Sequence, residues 1–160
     1  MSDLGTFKTL APIAFESVSN VTTTPSVALG TRRIYNGEEY VYFCNGMVSA
    51  ATAGIAMVVS LSSSYTLTRS STSEADFVVC FVKHADVAAS SYAWGLVRGE
   101  VQAWCGSTMS TGVMATIGLN GVLATGCVTT TLSFVGPTIG KTVSAATANG
   151  QALTWVKCFG

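Results

Sequence analysis

The sequence predicts an all-β protein: an antiparallel β-sandwich or β-barrel, jelly-roll-like, with an extended N-terminal arm. Three observations carry that reading. Short runs of β-branched and aromatic residues recur along the chain, separated by Gly, Asn and Ser, the pattern of strands joined by tight turns. No stretch sustains apolar residues at i, i+3 and i+4 with Glu and Lys opposite, so amphipathic helices lack support. Residues 101–140 hold no charged side chain, and Tyr40 to Thr68 is a second neutral tract. A surface this neutral has little electrostatic repulsion to keep molecules apart, which suits part of an assembly better than a free enzyme.

The chain's 160 residues, 49% of them hydrophobic, set the scale. That is one domain, able to bury roughly two-thirds of its unfolded surface without a covalent staple. We divide it into an arm over residues 1–28 and a single β-domain over residues 29–160. The arm is polar, Thr-rich at Thr22-Thr23-Thr24, and carries Pro12 and Pro25. Proline removes a backbone donor and biases the residue before it towards extended geometry. Leu10, Ile13 and Phe15 are its apolar docking candidates.

The body begins near Leu29. Ile34 to Gly46 contains two Asn-Gly pairs, Asn36-Gly37 and Asn45-Gly46, each a strong hairpin signal. The strand between them points Tyr40, Tyr42 and Cys44 to one face and Val41 and Phe43 to the other. Strands are next expected over Ile55 to Leu61 and Tyr65 to Thr68, around a Ser-rich turn at Ser62-Ser63-Ser64. Phe77 to Val82 is a continuous apolar run, read as a strand buried on both faces. Ala85 to Ala89 has the composition for one helical turn. Tyr92 to Trp104 alternates, with Tyr92, Trp94, Leu96 and Arg98 on one face and Ala93, Gly95, Val97 and Gly99 on the other. Glycines at Gly95 and Gly99 leave a groove or allow close backbone approach. Gly112 to Ile117, Asn120-Gly121 to Ala124, Val128 to Val135 and Leu153 to Phe159 complete the series.

Catalytic chemistry finds little to work with. The one histidine, His84, follows an apolar run beside Lys83 and reads as a solvated loop residue, because an active site needs several convergent polar groups. Glu38 and Glu39 are adjacent and face opposite ways on a strand, so they form no acid–base pair. Phosphate loops, EF-hand spacing and HExxH are absent from the sequence, and the expectation is no enzyme, no cofactor and no metal site. Cys44, Cys80, Cys105, Cys127 and Cys158 form no CxxC pair. The N-terminus lacks a basic segment ahead of an apolar run, so no secretory signal is expected and the thiols read as reduced, small hydrophobes. Net charge is zero, with Arg32-Arg33 the sole basic doublet, so nucleic acid is not an expected partner. Met47 to Leu61 falls short of the roughly 20 apolar residues a membrane helix needs, so no membrane span is expected either.

Two segments resemble a known group. Leu29-Gly30-Thr31-Arg32-Arg33-Ile34-Tyr35-Asn36-Gly37-Glu38-Glu39-Tyr40-Val41-Tyr42 is similar to an LGT…NG…Y-x-Y opening. Ser90-Ser91-Tyr92-Ala93-Trp94-Gly95-Leu96-Val97-Arg98-Gly99-Glu100-Val101, with Gly112 and Asn120-Gly121-Val122-Leu123 beyond it, is similar to an SYGW…G-x-V…G-x-L stretch. Both patterns are those of tailed-bacteriophage head decoration, or cement, proteins. Ala93 stands where that group usually has Gly, and Met114 where a polar residue is common. The resemblance implies a structural protein of the virion, on the capsid surface and assembled in the host cytoplasm. It implies binding to the outside of the major capsid protein lattice, with self-association as a homotrimer and stabilisation of the head. Tyr92, Trp94 and Arg98 are the domain's candidates for organisation or interface, alongside Leu10, Ile13 and Phe15 of the arm.

Two other readings make distinct demands. A glycan-binding module on a head or tail surface requires Trp94 or Trp104 exposed in a shallow groove, since aromatic faces stack on sugar rings. A thiol enzyme requires Cys80 or Cys105 to be a low-pKa thiolate working with His84.

Overall fold

A computed structural model describes residues 16–59, 65–69, 78–117, 122–125 and 139–158. All regular elements among the described residues are strands: β1 Val21–Thr22, β2 Arg32–Tyr35, β3 Glu38–Asn45, β4 Ala56–Val59, β5 Thr66–Thr68, β6 Val78–Phe81, β7 Tyr92–Trp104, β8 Met114–Ile117, β9 Leu123–Thr125, β10 Gly140–Thr142 and β11 Gln151–Lys157. The all-β architecture read from the sequence is the one observed.

Five strands close on themselves in the order β3-β5-β4-β6-β7, and β7 pairs back to β3. The barrel is mixed, because β3 and β5 run parallel, Cys44 opposite Thr66, while the other pairings are antiparallel. β7 is the longest strand, at 13 residues, and links barrel to outer sheet. Its first half pairs with β3 along one edge, Trp94 opposite Tyr42. The other edge meets β1 at Tyr92 and Ala93, β6 at Leu96 and then β11 from Arg98 to Trp104. Beyond β11 the sheet continues through β10 and β8 to β9.

Local sequence explains much of this. Asn36-Gly37 turns β2 into β3, with φ of 50° and 80°, the doubly left-handed geometry of a type I′ hairpin, which Asn and Gly adopt at least cost. Val78 to Phe81 is buried at every position, as its unbroken apolar run requires. β7 is buried from Ala93 to Val97 and alternates thereafter, because barrel and covering segments enclose both faces of its first half only. At Gly95 a methyl group would overlap Cys80 Sγ and approach Phe43 Cδ1 to 3.2 Å, so β3, β6 and β7 can close together there only around a residue without a side chain.

Three local expectations are corrected. Asn45-Gly46 is not a hairpin turn: Asn45 is wholly buried and ends β3. Its Nδ2 donates to the carbonyls of Ser49, Val87 and Ala88 at 3.0, 2.8 and 3.1 Å, and its Oδ1 accepts from Met47 N at 3.0 Å. Ala85 to Ala89 forms no helical turn, since Val87 is extended and bridges to Ala51. The pairing is also not wholly antiparallel, for the β3–β5 reason given above.

Of the segment expected to extend as an arm, Leu10, Ile13 and Phe15 lie outside the described residues, as does the Val128 to Val135 strand. The remainder, residues 16–28, lies on the domain. Val18 is 4% exposed, and β1 pairs with β7. Ser26 N and Oγ each donate to Tyr42 Oη at 3.1 Å, and Arg33 donates to the Glu16 carbonyl.

Candidate functional site

The three body residues singled out from sequence have separate fates. Tyr92 is half-buried and stacks on Tyr42, ring centroids 6.2 Å apart and planes 13° from parallel. Trp94 is 5% exposed, lies against Tyr42 at 5.1 Å, and is capped by the Arg33 guanidinium at 5.1 Å from its ring centroid. Both rings thus pack within the domain. A cation over an aromatic face shields it from water and gains roughly 0.5–2 kcal/mol. Arg98 is exposed and lies elsewhere, 5.9 Å from the ring centroid of Trp155.

The only ion pairs among the described residues are Arg32–Glu39 at 2.6 Å and Lys83–Glu38 at 2.5 Å. The second belongs to a cluster joining β3, β7 and the loop after β6. Tyr40 Oη donates to Glu38 Oε2 at 2.6 Å and meets His84 Nε2 at 3.1 Å, while Glu100 N donates to Glu38 Oε1 at 3.1 Å. Burial alone would push the Glu38 carboxyl up, but its hydrogen bonds to Lys83, Tyr40 and the Glu100 backbone hold it below the ordinary carboxylate range. Burial, helped by the Lys83 charge, lowers His84. Burial and the neighbouring Glu38 raise Tyr40. Both carboxylate oxygens of Glu38 are thus committed to holding loop and strands together.

Burial dominates at the thiols. Cys80 is fully buried and pushed well above its ordinary value, Cys158 is pushed up to about 12, and Cys44 and Cys105 also rise. Those four are free. They are protonated near neutrality, the opposite of what a thiolate nucleophile requires, and His84 engages Tyr40. No three His, Cys, Asp or Glu side chains among the described residues come together to hold a metal. Of the tryptophans named for a sugar groove, Trp94 is buried, while Trp104 is half-buried, donates its Nε1 to Ala53 O at 2.9 Å and lines a groove of about 330 Å³ with Thr52, Ile55, Arg69 and Asn149.

The most exposed tryptophan is Trp155, at 39% and at the middle of the outer sheet; the other exposed aromatic among the described residues is Tyr35 on β2. β11 alternates with Ala152, Thr154 and Val156 buried and Gln151, Trp155 and Lys157 exposed. Register sets Lys141 of β10 and Glu100 of β7 on either side of Trp155, with Met114 of β8 beyond Lys141. Lys157 pairs with Arg98 one step along. A groove of about 400 Å³ opens here, lined by Met114, Ile139, Gly140, Lys141, Trp155, Lys157 and Cys158. Sequence reasoning passed over Trp155, although a signal was present. In Gln-Ala-Leu-Thr-Trp-Val-Lys the indole is in phase with polar Gln151 and Lys157, whereas Trp94 is in phase with apolar Leu96 and with Tyr92.

No family model and no curated protein matches the chain. Among solved structures it is similar to the N base of head fiber gp8.5 of bacteriophage phi29. The TM-score is 0.51 at 16% identity, over 74% of this chain and 94% of that one. The likeness is one of fold.

Proposed function

We propose that this protein is a structural component of a tailed-bacteriophage virion, a decoration protein that binds the outside of the major capsid protein lattice and stabilises the head. The observation that carries the reading is the all-β body, which shares its fold with a phage head-fiber base over nearly the whole of that chain. Two features support it. The sequence patterns at Leu29 to Tyr42 and Ser90 to Val101 resemble decoration proteins; the first spans β2 and the start of β3, the second most of β7, the strand that pairs with β3 in the barrel. The charged cluster around Glu38 is spent on internal bonds, as befits a body whose task is to hold its shape.

The mechanism is bridging. Each copy contacts adjacent shell subunits, so the lattice opens only by breaking those interfaces. A specific contact of roughly 1,200–2,000 Å² repeated over the shell gives a large collective stabilisation. Self-association as a homotrimer over a local three-fold axis would match the shell's symmetry. Leu10, Ile13 and Phe15 are assigned to docking on the shell.

The test is co-sedimentation with shells assembled from the major capsid protein encoded in the same genome. The full chain should pellet to a saturating ratio and raise the temperature at which the shells come apart. Removal of residues 1–15, which spares Val18 and β1, should weaken pelleting at least tenfold. A chain that stays in the supernatant at every concentration would refute the proposal.

A further inference from the structure

We infer that the outer sheet face centred on Trp155 is the docking surface for an acidic, hydrophobically anchored peptide segment of a partner protein. The inference rests on the virion reading for the partner's identity, but on geometry alone for its chemistry.

The first argument is the distribution of charge. The chain as a whole is neutral, and two of its carboxylates are already paired, Glu38 with Lys83 and Glu39 with Arg32. Around Trp155, Arg98, Lys141 and Lys157 meet one carboxylate outside those two pairs, Glu100; Glu39, opposite Arg98 in register, is the one held by Arg32. Three positive charges against one negative leave a local excess of two. None of the three cations is in an ion pair among the described residues. Three cations that join neither ion pair of the described residues gather round the exposed indole, and they make this face complementary to negative charge.

The second argument is the groove. Its walls include Met114, Ile139 and Cys158 as well as Trp155, and its volume of about 400 Å³ lies within the roughly 300–1,000 Å³ of ordinary binding pockets. Trp155 and Met114 are 39% and 48% exposed. An aromatic anchor beside an apolar slot, with cations at its rim, is the composition of a protein-binding hot spot. An extended segment alternating acidic and large apolar residues satisfies both parts: one set of side chains enters the slot and the other meets Lys141, Lys157 and Arg98.

A second copy of this chain fits poorly. Two-fold association through this face would set the same three cations against themselves, and like charges in contact oppose association. A nucleic acid strand would use the indole and the cations, but the slot walled by Met114, Ile139 and Cys158 gives sugar and phosphate no polar partner, whereas it takes an apolar side chain.

The experiment titrates the full chain with four probes: a capped hexapeptide alternating Glu with Leu or Phe, its Lys-for-Glu counterpart, a hyaluronan octasaccharide and a ten-nucleotide oligo-dT. The acidic peptide should bind at least tenfold more tightly than the other three. Trp155→Ala and the pair Lys141→Glu with Lys157→Glu should each weaken it tenfold or more. The pair Lys141→Arg with Lys157→Arg should retain it, and unchanged melting temperatures will show that the variants fold. Equal affinity for both peptides, tighter binding of the saccharide or oligonucleotide, or indifference to both disruptive variants would overturn the assignment.

Shell co-sedimentation separates this claim from the virion reading. Wild type that pellets together with a charge-reversed pair that pellets equally well would overturn the surface assignment and leave the virion reading intact. Wild type that never pellets would overturn the virion reading, while the peptide titration still decides the chemistry of the face.

Discussion

Asn45 shows how one polar side chain can hold a junction. It sits at 0% exposure with its amide on three carbonyls of the 49 and 87–88 segments, so truncation strands acceptors that water cannot easily reach. Asn45→Ala should cost about 2 kcal/mol or more by urea unfolding. Asn45→Asp should do no better, because a carboxylate donates nothing to a carbonyl. Glu38 and His84 make a second residue-scale prediction, about pH. Both have folded pKa values below their ordinary ones, so in each case the unfolded chain binds the proton more readily. Their contributions are fully present above the unfolded values and are lost as pH falls. Stability should therefore drop first below about 6.5, through His84, and again below about 4.3, through Glu38. Glu38→Gln should flatten the lower step and His84→Asn the upper one in unfolding curves across that range. An acid limb unchanged in both variants would contradict this account of the cluster.

Among the elements, β7 and β3 decide the architecture. β3 pairs with β2, β5 and β7, and β7 carries the chain from barrel to outer sheet. Gly95→Ala should destabilise by roughly 1–3 kcal/mol, measured by denaturant midpoint, because the added methyl meets Cys80 on β6 and overpacks the barrel. Strand periodicity made much of this legible in advance. The unbroken run Phe77 to Val82 announced a strand buried on both faces, which is β6, and Asn36-Gly37 announced a hairpin. What escaped depended on partners distant in sequence. Asn45-Gly46 has the composition of a turn, but Asn45's amide is claimed by carbonyls more than forty residues away. The parallel β3–β5 pair likewise follows from barrel closure, which no local pattern records. Tyr92 and Trp94 were selected for being aromatic and close in sequence. Phase decides their role: they share a face with Leu96 and are covered by Tyr42 and Arg33, whereas Trp155 shares its face with lysine and stays open.

For the whole molecule, the material facts are a neutral chain with a β-barrel body, a charged cluster bonded within itself, protonated thiols, and an exposed indole on a face with a local excess of positive charge. None of the cluster's geometry requires a substrate, and all of it makes the body rigid. A rigid neutral unit present in many copies can lie close to its neighbours without repulsion, and the face around Trp155 gives such a unit a direction of attachment. The central claim is that the body lies on a capsid shell, and cryo-electron microscopy of shells mixed with the purified chain tests it most directly. The account predicts additional density of this barrel's size at symmetry-equivalent positions on the outer surface, repeated over the lattice. Bare shells at saturating protein, or density confined to the shell interior, would contradict it.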